Sequence, residues 1–335
     1  MKVGIIGAGR IGKVHAKNIA QLVPQLQIKA MADPFADADT RSFAQRYGIP
    51  VVTTEAAEIL DDGEIEAVLI CSSTDTHSRF IVEAARAKKH IFCEKPIDYD
   101  LQNVRRAIQA ADDAKVKLMI GFGRRYDHNH RGVYDLVRAG TIGAVHIIKI
   151  SSRDPEPPPI DYVKVSGGIF YDMMIHDFDM ARFLAGSEAI EVYTQGAVLV
   201  DPAIGEAGDV DTAVVTVKFA SGAIAVIDNS RRAVYGYDQR VEVFGENGMA
   251  ANDNDVPSTV YLSNAAGTTR QPCYKIMWDR YTQAFVDEMK AFAHCVAEDT
   301  PSPISGLDGL YPVLMAAAAT RSLREGRPVK ISEVE

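Results

Sequence analysis

Lys2-Val3-Gly4-Ile5-Ile6-Gly7-Ala8-Gly9-Arg10-Ile11-Gly12 is the stretch that decides the fold. Residues 2–6 are an aliphatic run of strand type, residues 7–12 fit G-x-G-x-x-G, and an amphipathic run follows over 11–19. A loop of this kind between strand and helix suits a dinucleotide. Gly7 permits the tight turn, Gly9 lets the backbone approach a pyrophosphate, and Gly12 lets helix and strand pack closely. Ala8, Arg10 and Ile11 complete the loop. The helix that follows offers unpaired N–H groups and a partial positive charge to the phosphates. The second strand-like run ends at Asp33, about twenty residues past the last glycine, where a ribose-binding acid is expected. A carboxylate there accepts from ribose hydroxyls and repels a 2′-phosphate, and Pro34-Phe35 supplies no arginine to receive one. The expected cofactor is NAD rather than NADP. The competing reading is a glycine turn that binds nothing; strand, loop, helix and acid together favour the cofactor.

Outward from the loop, aliphatic runs at 28–32, 67–71, 90–93 and 118–121 alternate with amphipathic stretches at 76–88 and 101–115. That alternation implies βαβ units and a parallel sheet covered by helices. The pattern changes after about Arg124. Strand-like runs at 145–151, 190–200, 212–219, 223–230 and 240–244 follow, and Asn247-Gly248 is a hairpin-type turn. Helical patterns lie at 130–139, 280–297 and 307–324. The expected class is α/β: a Rossmann domain over 1–123, then an α+β domain with an open, mainly antiparallel sheet over 124–335. The C-terminal helix is free to pack back on the first domain.

A chain of 335 residues exceeds what one core usually holds. Its net charge of −9 disfavours nucleic acid and acidic membranes as partners. No apolar segment approaches the length of a membrane span, and the apolar N-terminal stretch is too short and glycine-broken for a signal peptide. Cys71, Cys93, Cys273 and Cys295 form no CxxC pair, which suits reduced core residues of a cytoplasmic protein.

Ligands of open α/β sheets sit outside the carboxyl ends of the strands. Ser72, Ser73, Thr74 and His77 follow one such end, and Glu94-Lys95-Pro96 follows another. The first group is expected to line the cofactor, with Thr76 equally suited to a helix N-cap. A lysine at the second edge would aim its ammonium into a cleft, although a lone lysine is more often a solvated one. The most informative distal segment is Gly167–Met180. Read as one helix, it places Asp172, His176 and Asp179 on one face, while Met173, Met174, Ile175, Phe178 and Met180 make the rest apolar. A carboxylate one turn before a histidine can orient the imidazole and stabilise its protonated form, as a general base requires. Two other readings stand beside it: a buried hydrogen-bond network without chemistry, and a metal site of Asp172, His176 and Asp177.

Together, the loop at 7–12, Glu94-Lys95-Pro96 and Gly167-Gly168…Asp172…His176-Asp177 resemble the glucose-fructose oxidoreductase / inositol dehydrogenase family (Gfo/Idh/MocA) over nearly the whole chain. Arg124-Arg125-Tyr126, Ser152-Arg153-Asp154-Pro155 and Tyr235-Gly236-Tyr237-Asp238 are similar to its bacterial inositol 2-dehydrogenase branch. The resemblance implies Lys95, Asp172 and His176 as catalytic residues, with Glu94 and Lys95 also at the cofactor, and a cis Lys95–Pro96 bond. It implies substrate contacts at Arg125, Arg153, Asp154, Asp179 and Tyr235, no metal, and a homotetramer built partly through the second sheet. The expected reaction is NAD-dependent oxidation of a cyclitol such as myo-inositol, with no nucleic acid or membrane partner. Another sugar as substrate and a catalytically silent NAD-binding regulator are the competing functions.

Overall fold

The structure, a computed structural model, describes residues 1–335. It divides into two units, Met1–Tyr126 with Thr282–Val313, and Asp127–Tyr281 with Leu314–Glu335.

The first unit runs β1 (Lys2–Ile6), α1 (Arg10–Leu22), β2 (Gln27–Ala32), α2 (Ala38–Arg46), β3 (Val51–Thr53), α3 (Ala56–Leu60), β4 (Ala67–Ile70), α4 (Thr74–Arg86), β5 (His90–Glu94), α5 (Leu101–Ala114) and β6 (Leu118–Gly121). Its six strands lie in the order β3-β2-β1-β4-β5-β6, all parallel. The chain order reverses between β1 and β4, the switch point at which such sheets bind nucleotides. Every residue of β4 is buried, as a central strand covered on both faces requires.

The second unit contains α6 (His128–Arg138), β7 (Val145–Arg153), α7 (Ile160–Val163), α8 (Gly168–Asp172), α9 (Ile175–Ala185), β8 (Ala189–Ala197), α10 (Pro202–Glu206), β9 (Thr212–Phe219), β10 (Ile224–Ser230), β11 (Asp238–Gly245), β12 (Gly248–Ala251), β13 (Tyr261–Asn264) and β14 (Gly267–Arg270). Helices α11 (Met277–Ala297) and α12 (Gly306–Glu325) and strand β15 (Val329–Lys330) complete the chain. Seven strands form one sheet, β12-β11-β7-β10-β9-β8-β15, antiparallel except where β7 meets β10. Burial alternates along it. On β9, Ala213, Val215, Val217 and Phe219 are buried while Val214 and Lys218 are exposed. The helix-covered face carries the core; on the other face Met249, Phe244, Ile147 and Ile224 are paired in one exposed row across four strands.

Asp127 anchors this unit. Its carboxylate accepts from the Asn129 and His130 N–H groups at the start of α6, and from Arg280 Nη2 at 2.9 Å. Asp127 and Arg280 are both almost wholly buried.

The second domain does not take all of 124–335 as expected. Thr282–Val313 belongs to the first unit. The reason is apolar matching: Phe292 meets Phe92 with centroids 6.0 Å apart, and Phe285 meets His15 at 5.5 Å. Gly309 packs so closely that a Cβ would come within 2.6 Å of Ile97.

Candidate active site

The glycine loop is built for close approach. Gly7 has φ +104°, and a Cβ there would lie 2.5 Å from the backbone of Cys71 and Ser72. A Cβ on Gly12 would come within 2.0 Å of the Gly7 carbonyl oxygen, so the start of α1 lies directly against the turn. Gly9 is different: nothing lies within 4 Å of its missing side chain. It is the N-cap of α1, no side chain caps the helix, and no acidic residue occupies the first turn. Arg10 and Ile11 open that turn, with Arg10 exposed. Open space and unclaimed N–H groups are what a pyrophosphate needs.

Asp33 stands at the end of β2, and its two oxygens accept from the Ala8 N–H at 2.7 Å and the Phe35 N–H at 2.9 Å. The acid is thus tied to the loop, with lone pairs left over for ribose hydroxyls. We expect Asp33→Ser to raise NADP use relative to NAD by roughly tenfold, about 1.4 kcal/mol, in initial-rate measurements with each cofactor.

The strand ends differ from the sequence reading in two places. Ser72, Ser73 and Thr74 do follow β4, with Ser73 as N-cap of α4; Thr76 is inside the helix and bonds the Ser73 carbonyl at 2.7 Å. The His77 side chain points into the protein. Its ring is buried, with Nδ1 2.8 Å from the Pro96 carbonyl and Nε2 3.0 Å from that of Ser72. It ties the two strand-end loops together. Glu94 also turns inward, its carboxylate 2.8 Å from His15 Nε2 in the core. Beside it lies the fully buried Glu288, whose carboxyl burial and the Glu94 charge push far up. Glu94 is the last residue of β5, and Lys95 follows it in a bend. The Lys95–Pro96 bond is cis.

The distal segment is not one helix. The Met174 N–H bonds to the Ile169 carbonyl five residues back, at 2.8 Å, and α8 ends at Asp172 before α9 begins at Ile175. This π-type step breaks the helical phase, so Asp172 and His176 stand on successive helices rather than on one continuous stripe. His176 and the buried Asp179 lie one turn apart on α9. Asp172 accepts from Tyr162 Oη at 2.8 Å and Arg231 Nη1 at 3.1 Å. Asp177 is fully buried and accepts from Ser152 Oγ and from Asn229 Nδ2 at 2.9 Å. It therefore pins α9 to β7 and β10, and Asp172, His176 and Asp177 do not bring their ligand atoms together as a metal site would need.

The remaining candidates fall into separate groups. Arg125 is in the first unit, buried and paired with Asp308 at 3.0 Å. In the second unit Arg153 donates to Asp228 Oδ1 at 2.8 Å and to Tyr235 Oη at 3.0 Å, and Tyr235 donates to Asp238 at 2.5 Å. Arg153 follows Ser152, which faces α9, so strand alternation turns Arg153 and its partner Tyr235 to the opposite side of the sheet. That placement runs against Arg153 and Tyr235 as partners of a ligand held at α9. Asp154 continues the strand, its backbone bonded to Ser230 and Ala233. Arg231, Asp209 and Tyr162, which enclose Asp172, carried no sequence signal: each lies in a loop or single turn outside any motif.

Two family profiles cover most of the chain. Residues 1–122 match the oxidoreductase family NAD-binding Rossmann fold, and 130–251 match the GFO/IDH/MocA C-terminal domain. The chain belongs to the Gfo/Idh/MocA oxidoreductase family. This Gfo/Idh/MocA protein is an NAD-dependent dehydrogenase. It is 48% identical over 332 residues to an uncharacterized oxidoreductase of Bacillus subtilis, covering 99% of this chain and 97% of that one. It is 46% identical over 334 residues to a myo-inositol 2-dehydrogenase of Thermotoga maritima, covering 100% and 99%. A solved structure of Lactobacillus casei scyllo-inositol dehydrogenase with bound NAD(H) and scyllo-inositol superposes with a TM-score of 0.93 at 29% identity, over 99% of both chains.

Proposed function

We propose that this dehydrogenase oxidises a ring hydroxyl of a cyclitol, myo-inositol or its scyllo isomer, to the ketone. The observation that carries the reading is the kinked α8–α9 pair, which carries Asp172 and His176 on either side of the break with Asp172 gripped by a buried arginine. Full-length identity of 46% to a myo-inositol 2-dehydrogenase supports the substrate class. His176 accepts the hydroxyl proton. Asp172 balances the imidazolium that results. Lys95 donates a hydrogen bond that stabilises alkoxide character. NAD, when bound, supplies the hydride acceptor. Asp179, Asp154 and Arg125 are proposed substrate contacts.

Initial rates of NADH formation with myo-inositol, scyllo-inositol, other inositols and glucose test the reading. Turnover is expected on a cyclitol with NAD; faster turnover on glucose would transfer the proposal to a pyranose. Tight NAD binding with no turnover on any polyol would favour a silent regulator.

The assembly we propose is a homotetramer that covers the exposed sheet face. Ile147, Ile224, Phe244 and Met249 are 38–55% exposed there, an apolar row that a lone subunit leaves in water. Phe244→Glu is expected to lower the sedimentation coefficient to that of a smaller species; an unchanged value would reject this face as an interface. No helix is long and apolar enough to cross a membrane. Four buried free cysteines support a cytoplasmic setting.

A further inference from the structure

Arg231 is the largest fully buried side chain of the protein. It follows directly on β10, and its N–H donates to the Asp211 carbonyl at 2.8 Å. Its guanidinium lies between two carboxylates: Nη1 is 3.1 Å from Asp172 Oδ2 and Nη2 is 3.7 Å from Asp209 Oδ2. Asp209 also accepts from the Ile169 N–H at 3.1 Å, in the first turn of α8. It lies so close to Gly168 that a Cβ there would sit 2.8 Å from Oδ1, and Gly168 itself has φ +81°. Asp209 therefore grips the beginning of α8, and Arg231 grips its last residue, Asp172.

The charge count is unusual for a buried pair. A lone Arg231–Asp172 pair would be neutral and would offer little field to a neighbouring imidazole. With Asp209 the group holds two carboxylates and one guanidinium, a net charge of −1, so Asp172 keeps part of its negative charge. Burial pushes the Asp209 carboxyl up, as does the Asp172 charge, against the pull of the Ile169 N–H and Arg231. The other ionisable groups here are the Tyr162 hydroxyl on Asp172, Tyr171 beside it in the chain with its phenol pushed up to about 12 by burial, His176 across the kink, and on α9 the buried carboxylates of Asp177, next to His176, and Asp179, one turn beyond it.

We propose that Arg231 and Asp209 are positioning residues for proton removal: Arg231 fixes the Asp172 carboxylate, and Asp209 shares the arginine's charge so that Asp172 can still stabilise a protonated His176. This rests on the reading of His176 as the base. No sequence motif or relative's name assigns a part to either residue.

The test is the pH profile of kcat/KM on myo-inositol with NAD, whose acid limb reports protonation of the base in the free enzyme. Asp209→Asn takes the group from −1 to neutral. Its acid limb is expected to move down by about half to one pH unit, with kcat several-fold lower and NAD affinity by fluorescence titration unchanged. Arg231→Lys keeps the charge and loses the planar fork, so its limb stays in place while kcat falls about tenfold. An unmoved limb in a folded Asp209→Asn enzyme overturns the inference, because a purely structural role would change stability and not the limb. Should Asp209→Asn not fold, Arg231→Gln carries the test with opposite sign: the limb moves up, and an unmoved limb again overturns it. A wild type that turns over no polyol removes the base assignment and this inference with it. An active wild type whose variants keep its limb removes the inference alone.

Discussion

His176→Ala is expected to lower kcat on a cyclitol by roughly 10³-fold, the range over which a positioned base acts. NAD affinity should stay within about twofold, because His176 belongs to the second unit and the glycine loop and Asp33 to the first. NADH absorbance gives the first quantity and fluorescence titration the second. Turnover above a tenth of wild type would show that another group takes the proton. Lys95→Ala is expected to behave alike in kcat, since it removes the only ammonium that the motif Glu94-Lys95-Pro96 supplies to developing alkoxide charge. If Lys95→Ala kept most of its turnover, the scheme of base, balancing acid and hydrogen-bond donor would fail at that point.

The second large effect is on stability. Arg280→Met leaves the buried Asp127 carboxylate with His130, the α6 N–H groups and the exposed His128 at 3.7 Å. Breaking one side of a buried ion pair costs about 3–5 kcal/mol, so the thermal transition should fall by roughly 10 °C. Burial alone would push the Asp127 carboxyl up, but hydrogen bonds from His130 and Arg280 outweigh it and hold it far below the usual carboxylate range. A folded-state value below the unfolded one means stability that is complete above about pH 4 and is lost as pH falls through the folded value. The gap between wild type and Arg280→Met should therefore be full at neutral pH and narrow in acid. Calorimetry at pH 7 and pH 3 measures both; an equal gap at the two pH values would reject the Asp127 assignment.

The sequence revealed most where chemistry and periodicity coincide. Gly7, Gly9, Gly12 and Asp33 could be placed because a strand, a turn of fixed length and a helix leave few ways to hold a dinucleotide. Strand and helix identities in the second domain followed from periods of 2 and 3.6. Direction was harder to read. Glu94 and His77 sit at strand ends, where side chains are expected to meet a ligand, yet both turn inward, because only tertiary packing shows that His15 and the Pro96 carbonyl await them. The break at Met173-Met174 was hidden for a similar reason. Its residues are good helix formers, and the phase slip comes from how α8 is held by Asp209 and Asp172 by Arg231. Arg231 itself looks like an ordinary strand-end arginine in the sequence. The sheet order, with β7 parallel to β10 while its other neighbour runs antiparallel, has no local signature at all.

The return of Thr282–Val313 to the first unit has a consequence for how this chain comes into being. On the ribosome, the nucleotide-binding unit reaches Tyr126 with Phe92, Ile97 and Ile120 still lacking the residues that cover them, and Val313 follows only after every strand of the second sheet but β15 has been made. At 5–20 residues per second that interval lasts on the order of ten seconds or more. During it, the aliphatic surface awaiting α11 and α12 stays open to chaperones and to other nascent chains. The half of the protein translated first is thus among the last to be finished, and its completion waits on the synthesis of nearly the entire polypeptide.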